Sequence, residues 1–270
     1  MDGRVNPPAM TSEKMTPDEI VSRLLYRDGL MLIIDKPAGV AVHKGPKGGP
    51  SLEDDFPALQ FGLPKPPALA HRLDRETSGC LVLGRHRKAL ANLSDLFRHG
   101  KIGKTYWAIV EGGPAEPEGR IDLALRKLDD SRGWWMKPDP DGMPSSTTWK
   151  VMGRSEGLSW LALEPLTGRT HQLRVHCAAL KWPIVGDDIY GTQASSRRLR
   201  NESLPRGGGP RLQLHAREVA VPLYKNREPV RVTAPVPAHV VERLKECGWN
   251  GEDVAAATQS LNRPHAEERA

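Results

Sequence analysis

AHRLDRETSGCLVLGRH, residues 70–86, sets Asp74 between two arginines, Arg72 and Arg75, shortly after His71, and then passes through a small-residue turn into an apolar run. The run CLVLG (80–84) is dense in apolar residues and stops at a glycine, which predicts a buried strand. Working outward, RKALANLSDLFRHG (87–100) places Leu90, Leu93 and Phe97 on one helical face, with Gly100 as the stop. Upstream, residues 30–34 predict a short buried strand that ends in the turn built by Pro37 and Gly39. Downstream, KTYWAIVEG (104–112), TTWKVM (147–152), LSWLALEPL (158–166), LQLHAREVAV (212–221) and PVRVTAP (229–235) read as further strands. TGRTHQLRVHCAALKW (167–182) switches period, since Leu173, Cys177 and Leu180 recur at helical spacing with Thr170 as candidate N-cap. PAHVVERLKECG (237–248) reads as a closing helix. Strands follow one another with few helices between them, so the order is not that of a doubly wound fold. The expectation is α+β, with a mixed, largely antiparallel central sheet flanked by helices and loops.

The chain has 270 residues, enough for a proper core, and a formal charge of +6, which favours polyanionic partners without proving one. Three widely separated cysteines, Cys80, Cys177 and Cys247, offer neither a disulfide framework nor a metal motif and fit a reducing cytoplasm. The N-terminal stretch lacks an apolar signal core, and no run approaches the roughly 20 apolar residues of a membrane span. Residues 1–24 are expected to be a flexible leader with one helical turn near its end, 25–248 a single domain, and 249–270 a mobile polar tail.

Taken alone, Asp74 reads as half of a solvated ion pair, which contributes little. The crowding of Arg72, Arg75 and Glu76 around a tight turn that feeds a buried strand raises the other reading, a carboxylate held ionised by a cation. A second cationic cluster, GRTHQLRVH (168–176), opens the later helix. His171 and His176 are five apart and point in different directions around a helix, so a metal site is the weaker reading of that pair.

HRLDRETSG, followed about a hundred residues later by GRTHQLRVH, resembles the signature pair of the RluA family of pseudouridine synthases. LMLIIDKPAGVAVH, KTYWAIVEG, PIVGDDIYG (183–191) and the LHA near residue 215 resemble that family's other segments, in order, over about residues 27–240. The resemblance implies isomerisation of uridine within structured RNA, ribosomal or transfer, with no cofactor and no metal, by a monomer. It implies that Asp74 is the essential carboxylate, that Arg174 keeps it ionised, and that Tyr106 stacks on the uracil. Three routes stay open for the aspartate: attack on the sugar, attack on the ring, or removal of a ribose proton. Arg72 matches the position that fills the gap left by an extruded base, and Leu214 would be an apolar wall of the pocket. His71 is assigned to structure, holding its loop through a hydrogen bond.

Two basic segments suit phosphate contacts: Arg85, Arg87, Lys88, Arg98, Lys101 and Lys104 against Asp95, and Arg197, Arg198, Arg200, Arg206 and Arg211. The chain departs from the family pattern in a leader too short for an appended RNA-binding module, in Lys181 before the Pro-Ile loop, and in PLYKNREPV (222–230), which lacks a late His-Pro. Two other classes compete. A non-catalytic RNA-binding or chaperone protein would need the basic surfaces but not Asp74. A hydrolase would use Ser78 with His71 as base, although no GxSxG elbow is present.

Overall fold

The computed structural model describes residues 15–45, 48–129, 134–191 and 212–251. In chain order the elements are α1 (Pro17–Ser22), β1 (Leu24–Arg27), β2 (Met31–Lys36), a 3-10 helix (Leu52–Leu59), β3 (Ala68–Leu69), β4 (Ser78–Gly84) and α2 (Arg87–Arg98). They continue with β5 (Gly103–Glu111), β6 (Glu118–Asp122), β7 (Leu125–Lys127), β8 (Met136–Pro138), β9 (Ser146–Ser155), β10 (Leu158–Pro165), α3 (Gln172–Ala179), β11 (Leu214–Val221), β12 (Val230–Thr233) and α4 (Ala238–Glu246). One mixed sheet runs β1-β2-β4-β11-β5-β10-β9-β6, with β12 beside β11 and β3 beside β4, while β7 and β8 form a separate hairpin. Of the strand pairs, β4 with β11 is parallel and the others are antiparallel. The α+β expectation holds.

Alternation explains how the sheet is covered on both faces. Leu32, Ile34, Leu81 and Leu83 point to one side and pack on Leu52, Phe56 and Leu59 of the 3-10 helix. Met31, Ile33, Cys80 and Val82 point to the other and meet Leu93 of α2 with Val219 and Val232. Farther along, Ala108, Val110, Leu161 and Leu163 lie under Leu173 and Cys177 of α3, while Trp107, Ile109 and Trp160 lie over Val240 and Leu244 of α4. Every residue of β4 is buried, as an inner strand covered on both sides requires. Each leucine so buried contributes about 1.5–3 kcal/mol of transfer free energy.

Three expectations change. The helical turn expected near the end of the leader is α1, but this part of the chain is anchored rather than flexible: Thr16 and Glu19 cap α1 reciprocally, at 2.7 and 3.2 Å, and Ile20 is fully buried in the core. The tail boundary moves as well, because Trp249 packs with Val240 and Leu244. Residues 1–14 and 252–270 lie outside the described residues. The N-cap of α3 is His171 rather than Thr170, with φ +52°, a left-handed conformation that histidine tolerates better than branched residues do.

Candidate active site

Two strands that start together create the cleft. The parallel contact of β4 with β11 is short, His215 opposite Ser78 and Ala216 opposite Gly79. Gly79 has φ +107°, and a Cβ there would lie 2.2 Å from the Ala216 carbonyl oxygen, so only glycine allows the two backbones to approach so closely. The loop before β4, which carries Asp74, therefore emerges beside Leu214 at the start of β11.

Lys36 fixes that loop from beneath. Its side chain is fully buried, and Nζ donates to the carbonyls of Pro37, Arg75 and Thr77 at 2.7, 2.9 and 2.8 Å. Burial draws its pKa down to about 7, opposed by the charges of Glu76, Asp74 and Asp35. Arg75 is spent on the same joint, its Nε donating to the Gly39 carbonyl at 2.9 Å. On the far side Gln172 ties down the loop that leads into α3. Its Oε1 accepts from Thr167 Oγ1 and Arg169 N, and its Nε2 donates to Ser146 O and Thr147 Oγ1.

Between these two loops lies a cleft of about 420 Å³, lined by Asp74, Arg72, Tyr106, Leu214 and Arg174 among others, a size suited to a small organic group. All five site residues read from the sequence meet there. Asp74 is partly open to solvent, 28% for its side chain, and Arg72 is exposed at the lip. Leu214 is buried. Tyr106 sits opposite Ala216 of β11 and Leu163 of β10. Burial, then the nearby charge of Asp74, pushes the Tyr106 hydroxyl above the ordinary tyrosine range, so it stays protonated at neutral pH.

Arg174 does approach Asp74, with Nη1 3.6 Å from Oδ2, yet its main partner is another acid. Nε and Nη2 form a bidentate fork on Asp187, both at 2.7 Å, and Nη2 also reaches Asp188 at 3.4 Å. Asp187 has a fully buried side chain and also accepts from the amides of Ile189 and Tyr190 at 2.9 and 3.0 Å. Burial disfavours the Arg174 charge, but hydrogen bonds to Asp187 and the charges of Asp187 and Asp74 more than offset it, so its pKa rises and the guanidinium is a fixed cation. Asp187, in PIVGDDIYG, was not among the residues singled out from the sequence; only its position inside that quoted segment pointed to it. His171 is the other neighbour of Asp74, Nε2 lying 3.8 Å from Oδ2.

Several cationic and nucleophilic readings resolve differently. Ser78 is buried, its Oγ 2.9 Å from His215 Nδ1, so no substrate reaches it and the hydrolase reading fails. Arg85 donates to the carbonyls of Asp28, Gln60 and Phe61, which removes it from the free cations of the basic segment. Arg98 and Lys104 line the cleft, whereas Arg197, Arg198, Arg200, Arg206 and Arg211 lie outside the described residues. Among the described residues no three acids, histidines or cysteines are grouped to hold a metal ion, and no helix is long and apolar enough to cross a membrane.

His71 accepts a hydrogen bond from Val82 N at 3.0 Å and stacks on Phe97 at 4.3 Å, which is the structural role read for it. Burial pushes both His71 and His215 down to about 3. His171, His176 and His239 are shifted the same way by burial. The His71 and His215 rings stay neutral in the fold down to about 3, while an unfolded chain takes up protons near 6.5. The unfolded state therefore binds more protons below that pH, and stability falls as pH drops from 6.5 toward 3. Asp35, raised by burial to about 6, acts in the opposite sense between 3.8 and 6. Two strongly shifted histidines outweigh one aspartate, leaving a net loss of about 1 kcal/mol per pH unit in that window. Thermal melts at mildly acidic pH are expected to show Tm falling with each step down from neutrality; a flat profile would contradict this.

The family model described as RNA pseudouridylate synthase matches residues 30–179. An uncharacterized RNA pseudouridine synthase of Zymomonas mobilis is 40% identical over 220 residues, 81% of this chain and 95% of that protein. Ribosomal large subunit pseudouridine synthase C of Haemophilus ducreyi is 34% identical over 227 residues, 82% of this chain and 68% of that one. Among solved structures, human RNA pseudouridylate synthase domain containing 4 superposes with a TM-score of 0.70 at 26% identity, covering 86% of this chain and 95% of its own.

Proposed function

The chain belongs to the RNA pseudouridylate synthase family, within its RluA type, and is an RNA-modifying isomerase; from that premise we propose that Asp74 is the essential carboxylate and that the substrate is a uridine in structured ribosomal or transfer RNA. One observation carries the reading. Asp74 lines a cleft that a protonated tyrosine and a fixed guanidinium also line.

The reaction is internally balanced. The bond from uracil N1 to the sugar breaks, the ring turns, C5 joins the same sugar carbon, C5 loses its proton, and N1 gains one. Such chemistry needs an ionised carboxylate beside the base, and the Arg174 guanidinium lies 3.6 Å from Asp74. Tyr106 is read as the stacking partner of the uracil and Leu214 as the apolar wall. Arg72, exposed at the lip, is read as the side chain that occupies the gap after the base leaves its stack, a step that costs a few kcal/mol.

The name of the Haemophilus ducreyi relative favours ribosomal RNA. We read the chain as acting as a monomer in the cytoplasm, where its three buried, unpaired cysteines are compatible with a reducing medium. The test is a map of pseudouridine across total RNA from cells with and without this gene. One or more sites in ribosomal or transfer RNA should vanish in the deletion and return with the wild-type gene but not with Asp74→Asn. An unchanged map would refute the assignment of substrate, and restoration by the asparagine variant would refute the role of the carboxylate.

A further inference from the structure

A hydrogen-bonded chain runs from the β7–β8 hairpin through Tyr190 to His171, whose ring ends 3.8 Å from Asp74. The Met136 amide of β8 donates to the Tyr190 hydroxyl oxygen at 2.9 Å. That hydroxyl lies 2.8 Å from His171 Nδ1, and the opposite ring nitrogen, Nε2, faces Asp74 Oδ2 at 3.8 Å. Because the tyrosine oxygen already accepts from the amide, its own hydrogen is free to point at Nδ1, and among the described residues no other acceptor engages it. Nδ1 then accepts, and the ring proton of a neutral His171 sits on Nε2, aimed at the carboxylate.

We propose that His171 is a positioning residue for Asp74: Tyr190 locks its imidazole in the Nε2–H tautomer, so that the imidazole N–H and the Arg174 guanidinium both face Oδ2 of the carboxylate. This rests on the reading of Asp74 as the reacting carboxylate. Its local geometry is specific. His171 caps α3 in a left-handed conformation, its side chain is 6% exposed, and its ring meets the Tyr190 ring edge-on at 5.6 Å between centroids. The charges facing it are Asp74, Arg174, Asp187 and Asp188, and burial keeps it neutral by lowering its pKa.

The Arg174 guanidinium lies 3.6 Å from Oδ2 of the carboxylate. His171 Nε2, three residues before Arg174 at the start of α3, adds a second donor 3.8 Å from that same oxygen. With the tautomer reversed, a nitrogen lone pair would face the anion and push it away. The hairpin carrying Met136 thereby becomes part of the catalytic constellation although it contributes no side chain to the cleft.

The experiment uses the full chain and, as probe, total RNA from cells lacking the gene, tritiated at uridine C5, because rejoining through C5 releases that label to water. Tyr190→Phe removes one oxygen and is expected to lower kcat about tenfold, the effect of losing control over one hydrogen bond to a charged group, with KM for RNA little changed. His171→Leu should cost at least as much, and His171→Gln, whose amide can still donate toward Asp74, should recover part of the loss. Nitrogen-15 NMR of labelled histidine should find the His171 proton on Nε2 in the wild type and shared between both nitrogens in Tyr190→Phe. A proton on Nδ1 in the wild type, or kcat within about twofold of wild type in both Tyr190→Phe and His171→Leu, would overturn the proposal while leaving the role of Asp74 standing. Activity retained by Asp74→Asn would instead remove the premise, and the proposal with it.

Discussion

Asp74→Asn is expected to lower pseudouridine formation by about a thousandfold or more, since it removes the only group in the cleft read as base or nucleophile and leaves everything around it in place. Asparagine has nearly the same shape. The site's structural charge pair is Arg174 with Asp187, not Arg174 with Asp74, so the guanidinium stays anchored by its 2.7 Å fork when the Asp74 charge is gone. The side chain is also partly exposed, so the new amide can be solvated. Stability and RNA affinity should therefore change little while turnover collapses. Single-turnover release of tritium from C5-labelled RNA, beside a binding titration and a thermal melt, separates these quantities. Turnover within about tenfold of wild type would show that Asp74 is not the reacting carboxylate, because general acid-base or nucleophilic groups contribute far more than that.

Arg174→Met should be the most destabilising substitution at the site. It leaves Asp187, whose side chain is fully buried, as an anion held by two backbone amides, Ile189 and Tyr190, without its guanidinium. Removing one partner of a buried, bidentate pair typically costs about 3–5 kcal/mol, since the remaining charge is left without compensation in a medium that solvates it poorly. Loss of activity in this variant would by itself be ambiguous. The double variant Arg174→Met with Asp187→Asn resolves it, because asparagine oxygen can still accept from both amides but carries no charge. Stability should be largely restored in the pair, whereas turnover should stay low because Asp74 has lost its cation. A single Arg174→Met variant that melts within about 1 kcal/mol of wild type would contradict the buried-pair account.

Much of the site was legible because its residues lie in short, ordered motifs. Asp74, Arg72, Tyr106, Arg174 and Leu214 sit in four segments spread over 143 positions, and the fold brings all five to one cleft. Asp187, Lys36 and Gln172 were missed for a common reason. Each is polar and buried, and solvent exposure is the default expectation for such side chains; only the hydrogen bonds they make in the folded chain make their burial tolerable. His171 was read as an ordinary imidazole because its partners, Asp74 and Tyr190, are distant in sequence or hidden in a loop without periodicity.

Local patterns determined what can be decided within about ten residues. Apolar density marked β4, alternation marked β11 and β12, short apolar segments marked β2, β5, β9 and β10, helical spacing marked α2 and α3, and the Thr16–Glu19 capping box of α1 was present to be read. The tertiary structure alone decided which strands adjoin. The parallel meeting of β4 and β11 joins residues 137 apart, and it depends on a glycine at 79 because two backbones there come closer than any side chain allows. The hairpin β7–β8 has no apolar alternation to announce it, being held by Met136 N on Tyr190 and by its own pairing. Periodicity records which face of an element avoids water, and that is a property of the local chain. Which partner covers that face, and which buried charge finds its counter-charge, is settled only when distant segments compete to exclude water together.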